Sequence, residues 1–544
     1  MNKDNLEQLA FPQLTDNQLS ALAKFTTLKT YQDGDNLFEA GDSDFKFFVI
    51  KQGQVKIIEC STGKQKTVTV HEEKEFTGDI SMLTGNPSPV SAVTVGESQI
   101  YEISNANLKQ ILKAIPQLGD CILQAFLTRR RLLESSEFVG LRIVGSKYDR
   151  DTFRLRDFLA KNRIPSTWID LERDRTVDKL LQHFEVSRDK LPIILFGDSS
   201  VLKNPSNVEL AEFLEIKKPL KDIVYDLAII GAGPAGLAGA VYGASEGLKT
   251  IVLEKNAPGG QAGCSSKIEN YMGFPLGVSG TDLANRASIQ AKKFGAQITN
   301  PAEVIDIESD RGYNVIKLAH ERVTARCVLI ATGVNYRRLP VDRCEEFEDS
   351  GVYYSATAVE AEVCRDRTIV IVGGGNSAGQ AAIFLSQYAE KVLLLIRGDS
   401  LSNSMSAYLS DRIEQSDNIE LLRHTEVTKM IGDDCLKTVE ITNNQTQETK
   451  KVEVAGVFIF IGAKPCTDWL PSSIATDEKG FIKTGMQLVD DERKNYTRQP
   501  FLLETSRSGV FAAGDVRLDS IKRVASAVGE GSMTVKFVHQ FLSM

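Results

Sequence analysis

The sequence predicts a multidomain chain. A β-roll closed by helices comes first, then a small α/β module, then two doubly wound α/β units with the second inserted in the first. Three observations predict it. An apolar run at residues 227–230 leads into Gly231, Gly233 and Gly236 at G-x-G-x-x-G spacing, and a second at 368–372 leads into Gly373, Gly375 and Ala378 at G-x-G-x-x-A spacing. Near the N-terminus, short strands alternate with Asp33-Gly34, Ala40-Gly41-Asp42 and Gln52-Gly53 turns.

The length of 544 residues calls for three or more domains. With 25% charged and 42% hydrophobic residues the composition is that of a globular protein, and the net charge of −8 argues against nucleic acid or an anionic membrane as partner. No apolar run approaches the ~18 residues of a membrane span, and the polar, acidic start is unlike a signal peptide. A cytoplasmic location is expected. The eight cysteines (60, 121, 264, 327, 344, 364, 435 and 466) are scattered, without disulfide-scaffold, zinc or C-x-x-C spacing. The five histidines show no metal spacing, so no metal site is expected.

In residues 1–138, strands are expected at 28–31, 36–38, 45–50, 54–59 and 67–70, and helices at 105–115 and 118–133. The strings D-G-D-N-L-F-E-A-G-D and F-F-V-I-K-Q-G-Q-V-K resemble the cyclic-nucleotide-binding domain. That resemblance implies a phosphate cassette at F-T-G-D-I-S-M-L-T-G-N-P-S-P-V-S-A-V, with Gly78 kept and Asp79 replacing a glutamate on a ribose hydroxyl. The family's phosphate arginine falls on Ser88, and no Lys or Arg lies between Lys74 and Lys109. Backbone amides alone would then face a phosphate. The module is read as a docking or dimerisation unit, with a working nucleotide sensor as the alternative.

Residues 139–218 read as β-α-β-α-β: strands at 140–144, 166–171 and 193–196, helices at 151–162 and 177–184, and a closing helix at 208–214. With Pro192 leading the third strand in a rigid turn, this looks like a thioredoxin or glutaredoxin fold. That family opens its first helix on C-x-x-C, where the dipole lowers the thiol pKa. Here the turn is G-S-K-Y-D-R-D-T-F, so the module is expected to dock rather than to shuttle disulfides.

From residue 222 the glycine turns organise everything. The first glycine turns the chain, the second admits a pyrophosphate and the third lets helix pack on strand, while the helix N-terminus offers N–H groups to phosphate. A second strand at 250–253 ends on Glu254, where an acid holds a ribose hydroxyl. These residues, with A-T-G at 331–333 and G-V-F-A-A-G-D-V at 509–516, resemble the low-molecular-weight thioredoxin reductases. The resemblance implies an FAD-binding domain in two parts, 222–336 and 463–544, around an NAD(P)-binding domain at 337–462. It assigns Gly231, Gly233, Gly236 and Glu254 to the ADP half of FAD, and Gly260, Gln261 and Asn270 to the flavin side. Thr332, Gly333, Gly514 and Asp515 join the FAD site, and Arg523 and Val524 stand by the ring. Gly373, Gly375, Asn376, Ser377 and Ala378 would hold the pyridine nucleotide, and Arg397 its 2′-phosphate, favouring NADPH with NADH the alternative. Hinges fall near Arg337-Arg338 and Gly462-Ala463, and a homodimer is implied.

The family's redox Cys-Ala-Thr-Cys is replaced by Ser355-Ala356-Thr357-Ala358. Serine and alanine cannot cycle a disulfide. The expected activity is therefore hydride transfer from NAD(P)H to FAD and on to a non-dithiol acceptor such as a quinone, a redox protein or oxygen. One alternative is disulfide reduction through Cys264, which follows Gly259-Gly260, or through a partner's thiols, with Cys364 a weaker choice. The other is a non-catalytic redox or nucleotide sensor.

Overall fold

The computed structural model describes residues 3–42, 45–59, 66–84, 87–135, 141–174, 177–196, 200–402, 404–494 and 496–544. The expected first module boundary at 138, the strand start at Gly140 and Cys60 lie outside them.

In the N-terminal module a five-stranded antiparallel sheet runs in the order Thr27–Tyr31, Ser91–Ile103, Phe47–Glu59, Lys66–His71, with Asn36–Phe38 also paired to Ser91–Ile103. Its interior holds Phe47, Phe76 and Phe126, all fully buried and within 6.3 Å of one another, ring centroid to centroid. Two expectations are corrected here. Gln52-Gly53 is no turn: Phe47–Glu59 is one continuous strand whose register shifts around Gln52. Gly53 has φ +97°, and a Cβ there would lie 2.2 Å from Ser98 Oγ, so glycine absorbs a bulge within the strand. The long partner Ser91–Ile103 was not anticipated from the sequence, because its first residues read as cassette.

His71 sits 2% exposed between the Phe11 ring and Glu75, whose Oε2 lies 3.1 Å from Nδ1. Burial lowers its pKa to about 4, assisted by Arg129 and opposed by Glu75. The unfolded chain takes up this proton near pH 6.5 and the folded one only near 4, so stability falls as pH drops through that window. The loss amounts to about 3 kcal/mol. His71→Gln is expected to flatten the dependence of urea unfolding on pH between 4.5 and 7; an unchanged slope would show that other groups carry it.

The second module holds a four-stranded sheet in the order Ser166–Asp170, Leu141–Gly145, Ile193–Phe196, Ser200–Lys203, parallel in the first pair and antiparallel in the others. The edge strand Ser200–Lys203 was not expected. Arg150–Lys161 and Asn207–Phe213 pack on the sheet through Leu155, Phe158, Leu159 and Leu210. The Leu191-Pro192 peptide is cis.

The remaining chain forms two α/β units, the second inserted in the first. The first sheet runs Gln297–Thr299, Thr250–Leu253, Val224–Ile230, Arg322–Ile330, Tyr313–Leu318, Val304–Asp310, and Val510–Ala512 returns from the far end of the chain to pair parallel with Arg322–Ile330. The inserted unit has five parallel strands in the order Val352–Tyr353, Gly456–Ile459, Thr368–Val372, Lys391–Leu395, Ile419–Leu422. Its central strands are buried on both faces, as helix-covered parallel strands must be. The two crossings between the units, Val334–Tyr336 and Ala463–Pro465, pair as an antiparallel ribbon where the hinges were expected. Among the described residues no helix is long and apolar enough to cross a membrane.

Candidate active site

Val224–Ile230 ends on Gly231, whose φ is +99°. A Cβ at 231 would lie 2.5 Å from the Ala331 carbonyl oxygen, and one at Gly236 would lie 1.9 Å from the Gly231 oxygen. At Gly233 the nearest atom to such a Cβ is Gly260 Cα, 3.9 Å away. The outer glycines are thus required for packing, while the middle one leaves backbone open beside the N-terminus of Pro234–Ser245. Glu254 follows Thr250–Leu253; its Oε2 accepts from Ala232 N at 2.7 Å and its Oε1 from Asn256 N at 2.9 Å. Burial raises its pKa against the pull of these amides.

Gly260 and Gln261 open the short helix Gly260–Gly263, and Gln261 Nε2 donates to the Val334 carbonyl. Thr332 Oγ1 donates to the Cys466 carbonyl at 3.0 Å, and the Gly333 carbonyl accepts from Cys466 N at 3.0 Å. Gly514 N donates to Glu530 Oε2 at 2.7 Å, and Glu530 also binds Arg517 at 2.7 Å. Glu530 was missed from the sequence because it lies in the last helix, Val524–Leu542, outside any glycine motif. Beside Gly514, Asp515 is partly buried, and burial raises its pKa.

In the inserted unit Gly373 has φ +142°, and a Cβ there would lie 2.4 Å from the Phe460 carbonyl oxygen. Gly375 caps Asn376–Leu385, Asn376 Oδ1 accepts from Ser406 N at 2.7 Å, and Ala378 is fully buried. Ser377 in the first turn of this helix and Tyr336 of the hinge ribbon line one cavity.

A cavity of about 1030 Å³ opens between the units. Gln261 and Cys264 line it from the first unit, Tyr336 to Arg338 from the ribbon, and Ser377, Gln380, Phe460, Tyr353 to Ala356 and Glu360 from the second. A further wall was not foreseen: Phe153, Asp157 and Lys161 reach it from the second module. Glu360 is buried, accepting from Ser355 Oγ and, at 2.8 Å, from Thr357 N; burial raises its pKa. Lys161 lies 2.7 Å from Asp157, which holds the ammonium protonated despite burial.

Cys264 faces the cavity, but burial raises its thiol pKa and outweighs the opposing pull of Lys161. Its Sγ reaches only the Gly260 carbonyl, 3.9 Å away. Cys364 is fully buried and its thiol is pushed up further. All described cysteines are free. Of the nucleotide-binding residues expected from the sequence, Gln261 and Ser377 line this cavity. The glycine turns at 231–236 and 373–375, Glu254, Gly260, Thr332, Gly333, Asn376, Ala378, Gly514 and Asp515 lie outside its lining, as do Asn270, Arg397, Arg523 and Val524, and Asn270, Arg397 and Arg523 are exposed. The Arg397 carbonyl accepts from Asn444 Nδ2 at 3.2 Å.

The cassette of the N-terminal module needs one correction. Asp79 is ion-paired at 2.8 Å with Arg130, which also donates to Ser81 Oγ at 2.6 Å, while Arg129 donates to the Gly78 carbonyl at 2.7 Å. The cassette therefore faces two arginines brought in by the helix Pro116–Ser135, and Asp79 is engaged by a cation. Ser88 is 3% exposed, with its Oγ donating to the Val90 carbonyl at 2.7 Å.

Two glycine-turn α/β units facing each other across one cavity define a two-nucleotide oxidoreductase. The chain belongs to the pyridine nucleotide-disulphide oxidoreductase family, whose pattern matches residues 225–531; residues 28–114 match the cyclic nucleotide-binding domain. It is similar to the thioredoxin reductase of Listeria innocua, 32% identical over 311 residues covering 57% of this chain and 91% of that one. The thioredoxin reductase of Bacillus subtilis is 31% identical over 320 residues, 59% of this chain and 95% of that one. Among solved structures, thioredoxin reductase from Lactococcus lactis in its FR conformation aligns with a TM-score of 0.53 at 29% identity, covering 59% of this chain and 99% of that chain. The protein is a thioredoxin reductase-like oxidoreductase of a family that uses FAD and NAD(P)H.

Proposed function

We propose that the chain is an FAD-dependent NAD(P)H oxidoreductase that delivers electrons to a non-dithiol acceptor. The observation that carries this reading is the cavity joining the Gly260–Cys264 turn to the Ser377 helix end. The glycine cradles fit the two nucleotides: a Cβ at 231, 236 or 373 meets backbone, whereas 233 and 375 stay open. Gly231, Gly233, Gly236, Glu254, Gly260, Gln261, Thr332, Gly333, Gly514 and Asp515 would hold FAD. Gly373, Gly375, Asn376, Ser377 and Ala378 would hold NADPH, with Arg397 as the cation for a 2′-phosphate. Asn270, Arg523 and Val524 complete the FAD assignment. FAD held by these residues would supply hydride acceptance from the nicotinamide and onward electron transfer.

The chain's own residues bind, orient and exclude water. Helix N-termini at Gly233 and Gly375 offer amides to phosphates. Tyr336 and Ser377 flank the cavity from the ribbon and from the first turn of the nucleotide helix. Phe153, Tyr353 and Phe460 make an apolar wall. Neither Ser355 nor Ala358 can carry a disulfide, and the raised thiol pKa of Cys264 argues against a single-thiol route. A quinone or a redox protein fits an acceptor taken at this wall. A thioredoxin-like middle module, a homodimer and a cytoplasmic location complete the proposal.

The test is anaerobic stopped-flow with the purified FAD-loaded protein. NADPH should bleach the flavin band within a turnover, faster than NADH, and a thioredoxin-coupled disulfide assay should stay silent. No bleaching by either nucleotide would replace the enzyme with a sensor; robust thioredoxin turnover would restore the disulfide route.

A further inference from the structure

The helix Gly280–Phe294 carries Thr281, Asn285, Ser288 and Lys292 at intervals of four, three and four residues. That spacing puts them on one face. A polar stripe on an α/β unit ordinarily faces water, but this one is covered from two sides. Ile289 packs in the hydrophobic core of the N-terminal module, and Lys113 of that module donates to the Phe294 carbonyl at 3.0 Å. From the other side Arg163 of the middle module is ion-paired with Asp282 at 2.9 Å.

A second cavity of about 70 Å³ lies where the three parts meet. Arg130 lines it from the N-terminal module, Lys161 and Arg163 from the middle one, and the stripe, ending in Lys292, from the core. Among the described residues no carboxylate lines it. Asp79, Asp157 and Asp282 neutralise Arg130, Lys161 and Arg163 from outside the lining. Arg130 is 6% exposed, and its Nε is buried without a hydrogen-bond partner among the described residues. An unsatisfied buried guanidinium N–H is unfavourable unless something accepts from it. Lys292 brings a further cation to the lining, its pKa lowered to about 8 by burial and by the like charges of Lys109 and Lys218. The volume suits a few waters or a single tetrahedral oxyanion.

We infer that the three modules jointly line a binding site for one phosphate-sized oxyanion, held by Arg130 and Lys292 against the Asn285–Ser288 stripe. The site is separate from both glycine cradles. It adjoins the cassette, since Ile80 lines it and Arg130 binds Asp79 and Ser81. Thr281 Oγ1 donates to the Gly263 carbonyl at 2.8 Å, one residue before Cys264, which lines the large cavity. An anion here would bear on all three modules at once.

The experiment is calorimetric titration of the full-length, FAD-loaded chain with sodium phosphate at pH 7 and constant ionic strength. Saturable binding at one anion per chain is expected, with a thermal midpoint that rises with phosphate by mass action. Lys292→Met is expected to weaken binding at least tenfold. Ser288→Leu, which fills the cavity without changing charge, is expected to abolish it; should that variant fail to fold, Ser288→Val carries the same test. Absence of saturable heat overturns the inference, as does wild-type affinity in both variants, which would mean an adventitious ion only. Displacement of phosphate by cyclic AMP would also overturn it, by moving the anion to the β-roll. These readouts do not depend on turnover, so they stand apart from the outcome of the flavin-bleaching test.

Discussion

Gly236→Ala is expected to yield protein without flavin, whereas Gly373→Ala should yield flavin-loaded protein that neither NADPH nor NADH bleaches. The asymmetry follows from which unit each glycine closes. A Cβ at 236 would meet the Gly231 oxygen at 1.9 Å and its carbonyl carbon at 3.0 Å, both backbone atoms of the turn itself. The helix Pro234–Ser245 would have to lift off the strand Val224–Ile230, at the centre of the seven-stranded sheet. Such overpacking against backbone destabilises by about 3 kcal/mol or more and misaligns the amides facing the phosphates. At Gly373 the Cβ would meet the Phe460 oxygen at 2.4 Å, and φ +142° adds strain, but the damage stays in the inserted unit. The ratio of flavin to protein absorbance reads the first outcome and stopped-flow bleaching the second. A flavin ratio near wild type in Gly236→Ala, or wild-type bleaching in Gly373→Ala, would refute the assignment of the two cradles.

These glycines were legible because each does something no other residue can do in a short local segment. The strand, the turn and the helix are contiguous, so spacing alone carries the information. What the sequence hid is what depends on distant segments meeting. Arg129 and Arg130 stand some fifty positions from the cassette they face, in a helix whose pattern reads only as amphipathic. Phe153, Asp157 and Lys161 have the spacing of an ordinary helix packed on its own sheet, yet one side of that helix lines the reductase cavity. Gly53 misled for a local reason, since glycine with positive φ serves a turn and a bulge equally well. Asn270 and Arg523 were carried over from the family resemblance rather than from any local requirement, and both are exposed here.

Arg156→Ala is expected to raise the rate of electron delivery to a water-soluble quinone several-fold while leaving flavin reduction by NADPH within twofold of wild type. Arg156 is 8% exposed, stacks 3.8 Å over the Trp168 ring and donates to Glu362 Oε2 at 2.6 Å. Phe153 beside it lies 5.3 Å from Tyr353, ring to ring, inside the core of the inserted unit. On its other side the middle module holds the first unit through Arg163–Asp282 and through Asn300 Nδ2 donating to Asn162 Oδ1 at 2.7 Å. The module is thus bonded to both nucleotide units, and rotation about the Val334–Tyr336 and Ala463–Pro465 ribbon must break one set of contacts. Removing Arg156 forfeits a stacked cation and a charge-assisted hydrogen bond, about 2 kcal/mol together, and leaves its ion-pair partner Glu362 half exposed. Phe153→Ala should act in the same direction, with a larger stability loss of about 3–4 kcal/mol. Loosening this wall opens the cavity to an acceptor without touching either cradle, so the two half-reactions should separate. If Arg156→Ala slowed both in parallel, the module would be a scaffold for the flavin site rather than a barrier at its mouth. If it changed neither, the contacts to the inserted unit would not restrain turnover at all. Glu362→Ala supplies the control: coupled through one ion pair, the double variant should match Arg156→Ala instead of adding to it.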